Sequence, residues 1–506
     1  MKRFSKILTL ACLCALFATP SLNAQHLLIA SVNDTHSQID PANDGKGGMA
    51  RIRAVYDKLR AENENTAFIH AGDAVQGTLY FSLYKGDVEY ALLDSLGYDA
   101  IIMGNHELDN GVPSLVKYYS DVKARKLTAN YDLSGTPLAD LFQPWWIKAV
   151  GDKRVAFFGI NVNPAGLIAT TNCVGLRYLD PRDVADATAK YLKEVLKVDY
   201  AVMVSHIGYD SYEPGGASDT TVIAGSHYID LVIGGHSHTV IKPGSDMAHF
   251  PNADGRLIPI GQAGNAGKQI ATWDLDLTTG DITYDLITVD KTWDEAANRY
   301  TAMNQWFTEY REGVDSIMNC PVGTSKRQLK KSGTALQNWV SDASLEIVKK
   351  LSGIKNIDCA IMNKGGIRVD MPEGSVSEGV LGSMFPFDNR YVVLEMPGSA
   401  LLDCIKAMAA RKGDAVSKDL RVTYNDKFEV TSAKLKGKKI NPNKIYTVAT
   451  IDYLANGGDY MDAMKDCKRL FVDEQKYGVH MLEYVKELEA AGKFIEASDE
   501  VRMQKK

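Results

Sequence analysis

At 506 residues the chain is too long for one hydrophobic core, and two or three domains of about 150 residues each are expected. Its 45% hydrophobic and 24% charged residues are those of an ordinary soluble globular protein, and a formal net charge of −6 with interspersed signs excludes a basic face for a nucleic-acid duplex. An anionic ligand must therefore be handled locally, by metal ions or a few arginines, rather than by a global field.

The amino end reads as a secretory signal peptide over residues 1–24: Lys2, Arg3 and Lys6 precede an apolar stretch from Ile7 to Ala18, and Leu22-Asn23-Ala24 supplies a small-residue cleavage site. The apolar run falls short of the ~20 residues that span a bilayer. Cys12 and Cys14 lack a convincing lipobox, and no other stretch is apolar enough to span. The mature protein is expected in the periplasm or outside the cell. Five cysteines then remain, Cys173, Cys320, Cys359, Cys404 and Cys467. An odd number leaves at least one free thiol, and their spacing fits neither a metal knuckle nor a redox pair. The sequence carries no signal for an oligomeric state.

From His26 onward strand-type and helix-type segments alternate, the pattern of a layered α/β domain. An apolar run Leu27 to Val32 ends in Asn33-Asp34-Thr35-His36. Gly47-Gly48 then opens a helix whose Met49, Ile52, Val55, Tyr56 and Leu59 form a core stripe. Ala67 to Ala71 ends in Gly72-Asp73, and a Gly77 turn leads to a helix over Asp87 to Leu96. Ala100 to Met103 ends in Gly104-Asn105-His106-Glu107-Leu108-Asp109, an amide, an imidazole and two carboxylates within five residues. A helix, a strand Lys126 to Asn130 and a loop carrying Trp145-Trp146 are expected between Gly111 and Gly151. Arg154 to Ile160 reads as a strand, Pro181 to Leu196 as a helix, and Tyr200 to Val204 as the strand delivering His206. Leu231 to Gly235 precedes His236-Ser237-His238. Ile258 to Gly267 and a hairpin, Ile270 to Leu277 and Ile282 to Val289 about Thr279-Gly280-Asp281, close this half.

Trp293 to Met318 turns helical, with Ala296, Tyr300, Met303, Trp306, Phe307, Tyr310 and Val314 near one face. It reads as a connector between domains, or equally as an amphipathic helix packed on one of them. Beyond a helix beginning near Thr334, a strand Ile357 to Met362 leads into Asn363-Lys364-Gly365-Gly366-Ile367-Arg368. Two further blocks stand out, Phe385-Pro386-Phe387-Asp388-Asn389 and Tyr446 to Asp459, the latter containing Asp452-Tyr453 and Asn456-Gly457-Gly458-Asp459.

Apolar strands that end in metal-ligating residue types recur five times, which coincidence does not explain. Buried strands of an open α/β sheet present ligands at their carboxyl ends. Zn, Mn and Fe ions accept mixed imidazole and carboxylate shells, and one carboxylate can bridge two ions ~3.5–4 Å apart.

The blocks, in order D-x-H, G-D, G-N-H-E, a lone H and G-H-x-H, resemble those of the calcineurin-like metallophosphoesterases. Their spelling, with Asn33-Asp34-Thr35-His36 at the mature amino end and a separate carboxyl-terminal domain, resembles the secreted bacterial 5′-nucleotidase and UDP-sugar hydrolase branch. The resemblance implies an α/β protein: a layered α/β/β/α catalytic domain over 25–292, a connecting helix over 293–318 and a smaller α/β substrate-binding domain over 319–506. It implies that Asp34, His36 and His238 bind one divalent ion, Asn105, His206 and His236 a second, and Asp73 both, the ions being Zn, Mn or similar. A water activated between them would attack phosphorus in line, without a covalent enzyme intermediate. His106, oriented by Asp109, would stabilise the transition state and assist the leaving oxygen. Taken alone, Asp109 also reads as a helix amino-terminal carboxylate.

In the second domain the resemblance implies that Phe387 and Tyr453 sandwich a nucleobase, that Asn363, Arg368 and Asn389 line the pocket, and that Asp459 accepts hydrogen bonds from ribose hydroxyls. From its own neighbours, Phe387 reads as core and Arg368 as half of a surface ion pair. The chain departs from the family pattern at Lys330-Lys331-Ser332, where arginines are usual, at Lys364 and Asp388, usually smaller or neutral, and at Tyr460, usually glycine. The implied function is metal-dependent release of phosphate from nucleoside 5′-monophosphates, a small-molecule substrate. UDP-sugar or 2′,3′-cyclic nucleotide hydrolysis is the alternative within the class, and a non-catalytic extracytoplasmic nucleotide-binding protein the alternative outside it.

Overall fold

Strand β1, His26–Val32, sets the plan of the first domain: it is apolar on both faces because it lies inside a sandwich of two sheets that are themselves covered by helices. The computed structural model describes residues 25–210 and 216–506. The expected signal peptide lies outside the described residues.

Four strands follow β1 into the first sheet: β2 (Thr66–Ala71), β3 (Ala100–Ile102), β4 (Arg125–Leu127) and β5 (Phe142–Gln143), each parallel to its neighbour. The second sheet holds β6 (Trp145–Val150), β7 (Lys153–Asn161), β8 (Tyr200–His206), β9 (Leu231–Ile233), β10 (His249–Pro251) and β11 (Leu257–Gly261). Its β7, β8, β9 and β11 are parallel. The hairpin β12 (Gln269–Asp276) and β13 (Ile282–Thr288) returns to the first sheet and pairs antiparallel with β1.

Ile29, Ile69, Ile102, Phe157, Val204, Ile233 and Trp273 fill the space between the sheets. The outer face of the first sheet is covered by helices including Met49–Glu62, and that of the second by Pro181–Glu194. This is the expected α/β/β/α layering, and it delivers the carboxyl ends of β1, β2, β3 and β8 to one edge.

Two expectations are corrected. Trp145 and Trp146 lie on a strand rather than a loop, because Trp145–Val150 pairs along its length with Lys153–Asn161 and Trp146 stacks on Phe157 at 5.2 Å. The helix from Trp293 to Met318 is broken: a short turn Asp294–Ala297 precedes a helix Thr301–Met318. Asp294 pairs with Arg51 at 2.6 Å and the Tyr300 hydroxyl donates to Asp57 at 2.6 Å, so both sides of the break are tied to helix Met49–Glu62. The longer piece buries Phe307 in the first domain and also packs against helix Glu378–Met384 of the second.

The second domain has its own core around a five-stranded sheet in the order Ala415–Val416, Cys359–Met362, Ile445–Ile451, Arg390–Pro397 and Lys468–Lys476. Among the described residues all five cysteines are free, three of them buried, and no helix is long and apolar enough to cross a membrane.

Candidate active site

Asp34, His36, Asp73, His206, His236 and His238 converge at the carboxyl edge of the two sheets. Asp34, His36 and His238 form one group of ligand atoms within 4.8 Å of one another, and Asp73, His206 and His236 form another. His36 Nε2 and His238 Nε2 meet at 2.9 Å, with Asp34 Oδ1 3.7 and 3.3 Å away. Asp73 Oδ2 lies between the groups, 3.1 Å from His206 Nε2 and 3.9 Å from His36 Nε2. Five of these residues, Asp34, His36, Asp73, His236 and His238, sit at φ of 50, 49, 54, 75 and 54°, a left-handed conformation that side chains rarely adopt and that clusters where function requires it.

The atoms facing inward are those a cation would use. Asn105 Oδ1 is buried with no hydrogen-bond partner, which costs about 1–3 kcal/mol, while Asp34 Oδ1 and His206 Nε2 meet only other ionisable side chains of the cluster, His238 Nε2 at 3.3 Å and Asp73 Oδ2 at 3.1 Å. Their opposite ends are held. Asp34 Oδ2 accepts from Asn33 Nδ2 and from His236 N at 2.9 Å. Asp73 Oδ1 accepts from His106 N at 2.8 Å, His36 Nδ1 donates to Gln76 O at 3.0 Å, and His206 Nδ1 donates to Ala71 O at 2.7 Å.

The charge balance points the same way. Burial alone would raise the Asp34 and Asp73 carboxyls, yet His206 holds both well below the usual range. Burial would lower His206, but Asp73 and Asp34 push it up to about 10. Burial, with the adjacent His206, pulls His236 down to about 4. Two buried, ionised carboxylates thus share the one positive charge of His206, with His236 kept neutral beside them, and mixed oxygen and nitrogen donors of this kind suit a divalent transition metal.

His106 stands beside this cluster, its ring 5.3 Å from that of His36. Its Nδ1 donates to Asp109 Oδ2 at 2.8 Å, and although burial would lower its pKa, the Asp109 and Asp73 charges raise it. Asp109 therefore orients an imidazole. The residue at the start of the following helix, Gly111–Tyr119, is Asn110, and it makes no side-chain cap bond.

Two supporting residues were not assigned roles from sequence. Asn33 donates to Asp34 and to Gly264 O at 2.7 Å, and accepts from Ala263 N. Glu107 accepts from the backbone N–H groups of Gly104, Asp73 and Ala74 at 2.6, 3.0 and 2.7 Å. Burial and the Asp73 charge push its carboxyl up to about 7, against the pull of those donors. Its spacing from Gly104 is that of a capping-box glutamate reaching three residues back, the one signal in the sequence that marks it.

Beyond the metal-type cluster opens a cleft of about 370 Å³ between the domains. Asn105, His106 and Asp109 line it from the first domain, and Asn363, Arg368, Phe387, Asn389, Tyr453 and Asp459 from the second. The structure thus brings all six expected pocket residues into one cleft with His106 and Asp109. Phe385 is the buried core aromatic of its block, whereas Phe387 is half-exposed and faces the cleft, its ring 6.2 Å from His106 and 5.8 Å from the Arg368 guanidinium. Burial lowers the Arg368 pKa against the opposing charges of Asp73, Asp109 and Asp34.

Asp459 Oδ2 pairs with Arg411 at 2.7 Å, and its Oδ1 accepts from the Tyr453 hydroxyl at 3.2 Å. The same hydroxyl lies 3.0 Å from Gly166 O of the first domain, which also accepts from Asp459 N at 2.6 Å. The departures from pattern gather here: Asp388 pairs with Lys85 of the first domain at 3.3 Å and with Lys476 at 2.6 Å, Tyr460 lies against Gly166, and Lys331 Nζ donates to Arg368 O at 3.2 Å. The first domain adds Leu167, Ile168 and Asn172 to the cleft wall, contributions with no sequence signal.

The calcineurin-like phosphoesterase family matches residues 27–240, and the 5′-nucleotidase, C-terminal domain family matches residues 316–466. An apyrase of Tabanus yao is 27% identical over 92% of this chain and 90% of its own length, and a 5′-nucleotidase of Mus musculus is 27% identical over 88% and 85%. The structure of a 5′-nucleotidase precursor from Thermus thermophilus superposes with a TM-score of 0.81 at 24% identity, covering 95% of this chain and 99% of that one, a likeness of fold.

Proposed function

Because the chain belongs to the calcineurin-like phosphoesterases with a 5′-nucleotidase carboxyl-terminal domain and is a metal-dependent phosphoric ester hydrolase, we propose that it cleaves the phosphomonoester of nucleoside 5′-monophosphates, releasing nucleoside and inorganic phosphate. The observation that carries this reading is the single cleft that joins His106 and Asp109 to Phe387, Tyr453 and Asp459.

Asp34, His36 and His238 would hold one divalent ion, Asn105, His206 and His236 a second, and Asp73 both, with Zn or Mn as the natural candidates. Ions bound there would neutralise phosphate charge and activate water. Asp109 fixes the His106 tautomer, so that its Nε2 faces the cleft and can hold charge or a proton at the departing ester oxygen. Arg368 contributes a planar donor fork suited to phosphate. Phe387 and Tyr453 supply aromatic faces for a base, a contact of ~1–3 kcal/mol per base that tolerates any base. Asp459, fixed by Arg411, offers acceptors to ribose hydroxyls, with Asn363 and Asn389 as neutral hydrogen-bonding partners nearby. The residues 1–24 would export the protein, placing it among extracellular or periplasmic nucleotides.

The test is a substrate panel on the mature, metal-loaded protein: AMP, ADP, UDP-glucose, a 2′,3′-cyclic nucleotide and an aryl phosphate. Preference for AMP supports the reading, and preference for UDP-glucose or the cyclic nucleotide moves the assignment within the class. Aryl phosphate turnover with no nucleotide preference would refute the roles of Phe387, Tyr453 and Asp459.

A further inference from the structure

Glu107 takes no part in the chemistry above, yet among the described residues no side chain around the centre accepts more backbone hydrogen bonds than its three. Strands β2 and β3 are parallel neighbours with Ala71 opposite Ile102, so the loops that follow them leave the sheet side by side. One loop carries Asp73, the other Asn105. Glu107 Oε2 accepts from Asp73 N at 3.0 Å and from Gly104 N at 2.6 Å, one donor from each loop, and Oε1 accepts from Ala74 N at 2.7 Å. The link is returned by His106 N, which donates to Asp73 Oδ1 at 2.8 Å and leaves Oδ2 turned toward His206 and His36. Both carboxylate oxygens of Glu107 are thus committed to the backbone.

We propose that Glu107 is a positioning residue that clamps the Asp73 loop to the Asn105 loop and so sets the spacing of the two ion positions before an ion binds. The inference rests on the dinuclear reading of the site. It deepens that reading by naming what holds the bridging carboxylate in register with the second ligand set. An amide at this position has one acceptor oxygen, and its NH₂ would face at least one backbone N–H.

The experiment compares wild type and Glu107→Gln for Mn²⁺ stoichiometry, stepwise affinity and the low-temperature EPR signature of an exchange-coupled Mn²⁺ pair, with circular dichroism as the folding control. The expected result is a folded variant that keeps one ion but binds the second about 10- to 100-fold more weakly, with the coupled signal lost. A folded variant holding two ions with wild-type affinity and coupling overturns the role of Glu107 and leaves the dinuclear reading standing. A wild type that holds only one ion overturns both. Should Glu107→Gln fail to fold, amide hydrogen exchange on the metal-free wild type decides: protection at Asp73, Ala74 and Gly104 supports the clamp, and rapid exchange there overturns it.

Discussion

The cleft runs across a domain boundary, and the Tyr453 hydroxyl is one of the groups that tie its two sides together. Tyr453→Phe removes that hydroxyl while keeping the ring that would stack on a base. Gly166 O loses a donor at 3.0 Å but retains Asp459 N at 2.6 Å, so no carbonyl is left unpaired. Asp459 likewise keeps Arg411. The cost is then the net worth of one hydrogen bond, about 1 kcal/mol, rather than a desolvation penalty. Spent on the closed state alone, that is about a fivefold rise in the ratio of open to closed molecules. Double electron–electron resonance between nitroxides at Asp254→Cys and Lys438→Cys, with Cys173 and Cys320 changed to serine, reads that ratio. A distance distribution identical to that of the parent would refute the claim that this bond holds the domains together.

Three further perturbations follow from particular contacts. A Cβ at Gly104 would lie 2.2 Å from Asp73 Oδ1 and 2.6 Å from His206 Nε2, so Gly104→Ala should displace two ligands and abolish stoichiometric Mn²⁺ binding in a protein that still folds; retained binding by metal analysis contradicts it. Glu89 is 3% exposed, and burial pushes its carboxyl up from 4.5 to about 7. The folded state therefore holds this proton more tightly than the unfolded one, and stability falls as pH rises from about 4.5 to 7; Glu89→Gln should remove that loss and be the more stable protein at pH 8 by on the order of 2–3 kcal/mol, with a much smaller difference at pH 4. Equal gains in denaturant midpoint at both pH values would count against the assignment. Lys85 and Asp388 are 38% and 54% exposed, and Asp388 keeps Lys476, so Lys85→Ala should shift the KM for AMP less than about twofold, as for a surface ion pair; a tenfold change would show that Lys85 touches substrate.

The residues that converge at the edge of the sheets were legible because the physics that builds the sheets also writes the motifs. Strands β1, β2, β3 and β8 are buried on both faces and read as unbroken apolar runs, and polar residues can begin only where each strand leaves the sheet. Asp34, Asp73, Asn105 and His206 follow directly. Phe387 could not be separated from Phe385 by pattern alone, since both flank one proline, and only the fold turns one into the core and the other into the cleft. The strand at Trp145 was missed because its pairing partner, not its own composition, makes it a strand. The helix from Trp293 breaks at a point set by Arg51 and Asp57, more than 200 residues away in sequence. Contacts across the cleft, such as Gly166 with Tyr453 and Lys85 with Asp388, join residues whose individual letters carry no sign of their partners.

That one cleft unites metal-dependent phosphate chemistry with nucleoside recognition is open to direct experiment. It is tested most directly by measuring phosphate release from AMP and from an aryl phosphate by the Mn²⁺-loaded mature protein, with His106→Ala alongside. The expected result is a higher kcat/KM for AMP and a loss of about 10²–10⁴-fold in the variant for both substrates. Equal turnover of the two substrates, or a variant as active as the parent, would contradict it.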